Sequence, residues 1–129
     1  MNTEPVIIVD AANVVGSTPD GWWRDRAGAT RRLRDRLATL TDQGLTRWPH
    51  PPPVEVILVT EGRARGVDSS DTVTVVAAPA TGDDTIVDLV TRNTRRPVVV
   101  VTSDRGLRQR VTDAGGDTLP ASTLAPDRT

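Results

Sequence analysis

The chain has 129 residues, a formal charge of −1 at pH 7, no cysteine, and arginine in place of lysine throughout. That length holds one sheet with its covering helices rather than two independent cores. The missing cysteines exclude disulfides and thiolate metal sites, the near-neutral charge argues against a general nucleic-acid coat protein, and no apolar run approaches the roughly 20 residues of a membrane span.

The first residues, Met1 to Pro5, show no basic region followed by an apolar stretch, so a cytoplasmic location is expected. Val6-Ile7-Ile8-Val9-Asp10 is too short for a core helix and reads as a strand buried on both faces, whose neighbours should be parallel. A turn follows at Gly16 to Gly21, then Trp22-Trp23 and an amphipathic helix from about Arg24 to Asp42, with Leu33, Leu37 and Leu40 at helical spacing and Gly44 as its end. Trp48 to Pro53 is a proline-rich connector in which His50 reads as a solvated loop residue rather than a ligand. Val54 to Val59 is a second buried strand leading to Thr60-Glu61-Gly62, residues 63–71 a polar loop, and Thr72 to Ala77 a third strand.

Asp83 to Arg92 is the ambiguous segment: Ile86, Leu89 and Val90 fit a helical stripe, while Thr85, Val87 and Thr91 are β-branched. A helix is expected there, because strands alternating with helices give the βαβ units that buried parallel strands require. Val98 to Val101 runs apolar into Thr102-Ser103-Asp104, a helix should follow to Asp113, and a short strand should lie near Asp117 to Leu119. The expected architecture is an α/β domain over residues 1–124, with an open, mainly parallel sheet between helices, and a disordered tail over 125–129.

Three acidic residues follow apolar strands, namely Asp10, Glu61 and Asp104, and Asp83-Asp84 opens the ambiguous helix. In an open parallel sheet the carboxyl ends of the strands share the edge where ligands bind, so Asp10 and Asp104 should face one crevice. Carboxylates without histidine or cysteine form the ligand set of a hard cation such as Mg²⁺ or Mn²⁺, which suits phosphate chemistry. Each acid also has a plainer reading. Asp83, Ser103 or Asp104 could serve only as a helix N-cap, and Glu61 could be a loop glutamate paired with Arg63 or Arg65. Asp10 has no basic residue nearby in sequence and is the hardest to explain that way.

These residues carry a family resemblance. Val9-Asp10-Ala11-Ala12-Asn13-Val14-Val15-Gly16 resembles the D-G-x-N signature that opens NYN domains of the PIN-like nuclease superfamily, especially its YacP-like branch. In the same order, Val59-Thr60-Glu61-Gly62-Arg63 resembles that branch's acidic strand end, Thr81-Gly82-Asp83-Asp84-Thr85-Ile86 its acidic helix start, and Val101-Thr102-Ser103-Asp104-Arg105 its T-S-D motif. Ala11 stands where the family usually has glycine, and Glu61 where it usually has aspartate. The resemblance spans residues 5–120 and implies a PIN-like fold with helices on both faces of the sheet. It also implies a metal held by Asp10, Asp83 or Asp84, and Asp104, these being the catalytic acids, with Glu61 a further candidate ligand. Asn13 would position Asp10 or a substrate phosphate, and Ser103 would support the site by hydrogen bonding.

Trp22 and Trp23 follow the loop after the first strand, where an indole can stack on an unpaired base and an arginine such as Arg24 can hold phosphate. One tryptophan is expected in the core, which lacks Phe and Tyr; the other is open to either role. Arg63, Arg65, Arg105 and Arg108 could add a local basic rim. The leading functional expectation is a metal-dependent ribonuclease. A metal-dependent pyrophosphohydrolase acting on a free nucleotide, without a G-x-x-x-x-G-K-[ST] loop, is the second reading. An inactive RNA-binding module of the same fold is the third. Nothing in the sequence identifies an oligomeric state or a protein inhibitor.

Overall fold

The computed structural model describes residues 3–124; the tail expected over 125–129 lies outside them. Five strands form one sheet: Val6–Asp10 (β1), Glu55–Thr60 (β2), Thr74–Ala77 (β3), Val98–Val101 (β4) and Asp117–Leu119 (β5). Their order is β3-β2-β1-β4-β5 and every pairing is parallel. The apolar runs are explained by burial on both faces. Ile7 and Val9 of β1 join one core cluster with Leu58, Val99 and Val101, while Val6 and Ile8 join the other with Val59, Val98 and Val100. Each fully buried Val, Ile or Leu contributes about 1.5–3 kcal/mol, so neither face tolerates a polar alternate.

The first face is covered by the helices Ala11–Gly16 (α1), Arg26–Arg36 (α2) and Leu40–Gln43 (α3). The second is covered by Gly82–Arg92 (α4) and Arg105–Asp113 (α5), through Ile86, Val90, Leu107 and Val111. Helices therefore lie on both sides, as expected. The segment from Gly82 is a helix despite its β-branched residues, because Ile86 and Val90 are fully buried and packing outweighs propensity.

Two local expectations are corrected. The chain between the first strand and the turn expected from Gly16, residues 11–16, forms a short helix not expected from the sequence, α1, which begins at Asp10 as its N-cap. The continuous helix expected over Arg24 to Asp42 is divided: a 3₁₀ turn at Trp22–Arg24, α2, a second 3₁₀ turn at Leu37–Thr39, then α3. Asp25 starts α2 by accepting the Gly28 N–H at 2.9 Å, and a Cβ at position 28 would strike that carboxylate. Gly44 ends α3 with φ +67°, a conformation that other L-residues rarely adopt.

The third strand begins at Thr74 rather than Thr72, because Ser70 exchanges hydrogen bonds with Val73 and holds that stretch in a turn. Trp48 is buried, donates its indole N–H to Asp117 at 3.0 Å, and packs edge-on against His50. It, and neither Trp22 nor Trp23 as expected, is the tryptophan that fills the core; Trp22 packs partly buried against that core and Trp23 is exposed. Among the described residues no helix is long and apolar enough to cross a membrane.

Candidate active site

The chain adds strands to one side of β1 first (β2, β3) and to the other side later (β4, β5). The carboxyl ends of β1 and β4 therefore flank a topological switch point, the crevice where open α/β sheets bind ligands. Asp10, the last residue of β1, sits there only 7% exposed. Its Oδ2 accepts the Thr102 hydroxyl at 2.9 Å, and Thr102 Oγ1 in turn accepts the Asp104 N–H at 3.2 Å. One fully buried hydroxyl thus links two of the expected acids.

A second tie runs between the same turns. Asn13 Oδ1 accepts the Ser103 N–H at 2.8 Å, and Ser103 Oγ accepts the Ala121 N–H at 2.9 Å. Asn13 and Ser103 therefore join the β1–α1 and β4–α5 turns and anchor the chain after β5. Thr102 was legible in the sequence only as the first residue of the T-S-D run, and its role as the bridge is found in the structure.

Burial pushes the Asp10 carboxyl up to about 6, against the hydrogen bonds from Thr102 and Asn13, with Asp83 and Glu61 adding repulsion. Asp83 is also raised, by burial first and then by the negative charges of Asp104 and Glu61, with Arg110 opposing and Asp84 adding to the rise. This mutual repulsion places Asp10, Glu61, Asp83 and Asp104 in one electrostatic cluster at the second face of the sheet. Asp104 caps α5 through Oδ1, which accepts the Leu107 N–H at 2.9 Å, while its Oδ2 has no protein partner among the described residues.

The neighbouring aspartates on α4 part company. Asp84 turns outward, 80% exposed, and pairs with Arg110 at 2.9 Å, so Asp83 is the one whose charge meets the cluster. Glu61 accepts the Gly82 N–H at the start of α4. Among the described residues it forms no ion pair with Arg63 or Arg65; Arg65 donates to the Gly62 and Pro79 carbonyls instead. A Cβ at position 82 would lie 3.2 Å from the Glu61 carboxylate, so the glycine makes room for the longer acid.

Of the expected substrate contacts, Arg63 is exposed in the 3₁₀ turn after β2 and Arg105 at the first position of α5 after β4, on either side of Asp10 in the sheet order. Arg108 instead donates to Thr118 at 3.1 Å. Trp22 is partly buried against the first core, with the Arg26 guanidinium 5.3 Å from its ring centre. Trp23 is 57% exposed, and Arg24 lies 5.9 Å from its ring centre.

The donor set is made of carboxylate and hydroxyl oxygens, the chemistry of a hard cation. Among the described residues no three acidic or histidine side chains stand close enough together to enclose an ion. Mg²⁺ does not need such a cage, since it usually keeps several waters and takes one or two carboxylates together with substrate phosphate oxygens. An open cluster with unpartnered carboxylate oxygens fits that mode.

A five-stranded all-parallel sheet in this order, with helices on both faces and acids at the switch point, is an open α/β fold also found in a solved structure. Among solved structures, Rae1 (YacP) from Bacillus subtilis is similar to this chain with a TM-score of 0.66, at 20% sequence identity, over 92% of this chain and 70% of that one. No family model matches the chain, and no curated protein matches it.

Proposed function

We propose that this protein is a metal-dependent nuclease that hydrolyses RNA phosphodiester bonds. Mg²⁺ or Mn²⁺ would sit among Asp10, Asp83 and Asp104, taking one or two of these carboxylates together with water and substrate phosphate oxygens, with Glu61 beside them fixing the start of α4. The observation that carries the reading is the buried Asp10 carboxylate, aligned by Thr102 and repelled by Asp83 and Glu61 at the switch point. Acids left in mutual repulsion at a ligand crevice are better explained by a cationic ligand than by stability. The likeness to Rae1 (YacP) supports the fold in which this site sits.

When bound, the metal supplies Lewis-acid polarisation of a phosphoryl oxygen and a more acidic water. The chain's own residues do the positioning. Thr102 fixes one oxygen of Asp10 and the backbone of Asp104 together, so the two acids move as a unit. Asn13 holds the Ser103 backbone and keeps the two turns in register. Arg63 and Arg105, exposed on either side, can each take a phosphate of a strand crossing the edge.

The test is cleavage of labelled single-stranded RNA in Mg²⁺ or Mn²⁺ by the wild type and by Asp104→Asn. Removal of a ligand should cost at least about 100-fold, the upper end of the loss seen for supporting residues of metal sites. Equal cleavage by the two proteins would refute the proposal, as would pyrophosphate release from nucleoside triphosphates with RNA left intact.

A further inference from the structure

Beside the acids lies a cavity of about 280 Å³ that the proposed chemistry does not use. It occupies the other side of the sheet edge, between α1, α2 and the loop that leads into α4. Buried Val15, Thr30 and Ala64 line it, together with Ala12 and Ala80, which remain exposed. Trp22 and Arg26 also line it, the guanidinium packed over the indole. Glu61 belongs to both places. It lines the cavity while its carboxylate accepts the Gly82 N–H beside Asp83, so the cavity and the acidic cluster share a wall.

Three properties of this space point to one kind of occupant. Its walls are mostly apolar and small, which excludes a phosphate or a metal as the resident group. It has a flat aromatic side chain with an arginine against it, the pairing on which unpaired bases are held. Polar groups are a minority of the lining, and one of them, the second oxygen of Glu61, not engaged by Gly82, can accept a hydrogen bond from an N–H of a ring edge. Ala11 and Ala12, which directly follow Asp10, form part of the wall, so a group in the cavity lies one short step along the edge from the crevice.

We propose that this cavity is a subsite for one unpaired nucleobase, belonging to the nucleotide next to the phosphate held at the acids. The proposal rests on the nuclease reading and adds to it a place for one base, which a base still stacked in a duplex cannot enter. Trp22 and Arg26 supply the wall for the base, and the alanines at 12 and 80 supply the room.

The experiment measures binding rather than cleavage. Fluorescein-labelled octaribonucleotides, one intact and the rest each carrying a single abasic residue at a different position, are titrated by anisotropy in EDTA. For the wild type, loss of one particular base should weaken binding about tenfold, within the range for a single stacked base, while most other positions change it little. Ala80→Leu fills the mouth of the cavity from an exposed loop position. It should weaken the intact oligonucleotide about tenfold and remove the effect of the sensitive abasic position, with an unchanged melting temperature. Equal binding of all abasic oligonucleotides, or a variant that binds intact RNA like the wild type, overturns the subsite and leaves the nuclease reading standing. A wild type that neither binds nor cleaves RNA overturns both.

Discussion

Replacing Asp10 by asparagine should stabilise the protein at alkaline pH. The carboxyl is raised from 3.8 to about 6 in the fold, with burial the first cause. Between those values the folded state holds a proton that the unfolded chain has released, so stability falls as pH rises through this window and is constant beyond it. At 1.36 kcal/mol per pH unit, the ionised Asp10 destabilises the fold by about 3 kcal/mol at pH 8. Asparagine removes that penalty but turns an amide N–H₂ toward the Asn13 N–H, which lies 3.5 Å from Asp10 Oδ1; a lost hydrogen bond of this kind costs about 1 kcal/mol. The net gain is about 2 kcal/mol at pH 8, or roughly 8 °C in melting temperature for a chain of this size. At pH 4.5 most of the penalty is already absent from the wild type, and the two proteins should melt within about 2 °C of each other. Circular dichroism melts in EDTA at the two pH values decide the matter. A difference of the same sign and size at both would refute the burial argument.

Further outcomes follow from the same geometry. Mn²⁺ should raise the melting temperature of the wild type at pH 7.5 and have a much smaller effect on Asp10→Asn, since a cation relieves the repulsion only while the acid is present; equal shifts in differential scanning fluorimetry would count against Asp10 as a ligand. Thr102→Val removes the hydroxyl shared by Asp10 and the Asp104 N–H, and should cost about 1–3 kcal/mol in urea unfolding together with most of the proposed RNA cleavage. Asp84→Asn should change stability by less than about 1 kcal/mol and cleavage by less than about twofold, because its pair with Arg110 is exposed. Ile86→Ala, at a fully buried position under α4, should cost about 2–5 kcal/mol by chemical denaturation.

The parts of the fold that could be read from sequence were those in which burial imposes a pattern. A strand covered on both faces must be apolar at every position, and Val6 to Val9 and Val98 to Val101 could hardly be anything else. Helix α4 was readable because Ile86 and Val90 recur at helical spacing, even with threonines between them. The short helix α1 gave no such signal. Six residues are too few for a period to emerge, and its start depends on Asp10, whose more conspicuous property is that it ends a strand. The division of the long helix into α2 and α3 turns on 3₁₀ hydrogen bonding at Leu37–Thr39, a difference of backbone geometry that leucine spacing does not reveal.

In the site, the acids were legible because charge after an apolar run is conspicuous. Thr102 was not, since a threonine near the end of a strand is ordinary and only its contacts distinguish it. Asp83 and Asp84 could not be separated by residue type. Their difference comes from helical rotation, which points one toward the cluster and the other toward Arg110. The cavity beside Trp22 was invisible for a related reason: an empty space is bounded by residues from several loops, and alanines that leave room look like alanines that merely favour helices.

The hydrogen bond between Thr102 and Asp10 spans 92 positions of the chain. Joining residues so far apart carries a larger loop-closure entropy than forming the local helices or the β1–β2 pairing. Until the residues through Asp104 are present and β4 has docked, Asp10 has neither its aligning hydroxyl nor its facing acid. A chain interrupted before that point lacks Thr102 and Asp104 and so cannot assemble the acidic cluster. The order of strands therefore makes the pairing of Asp10 with Thr102 depend on nearly the whole chain.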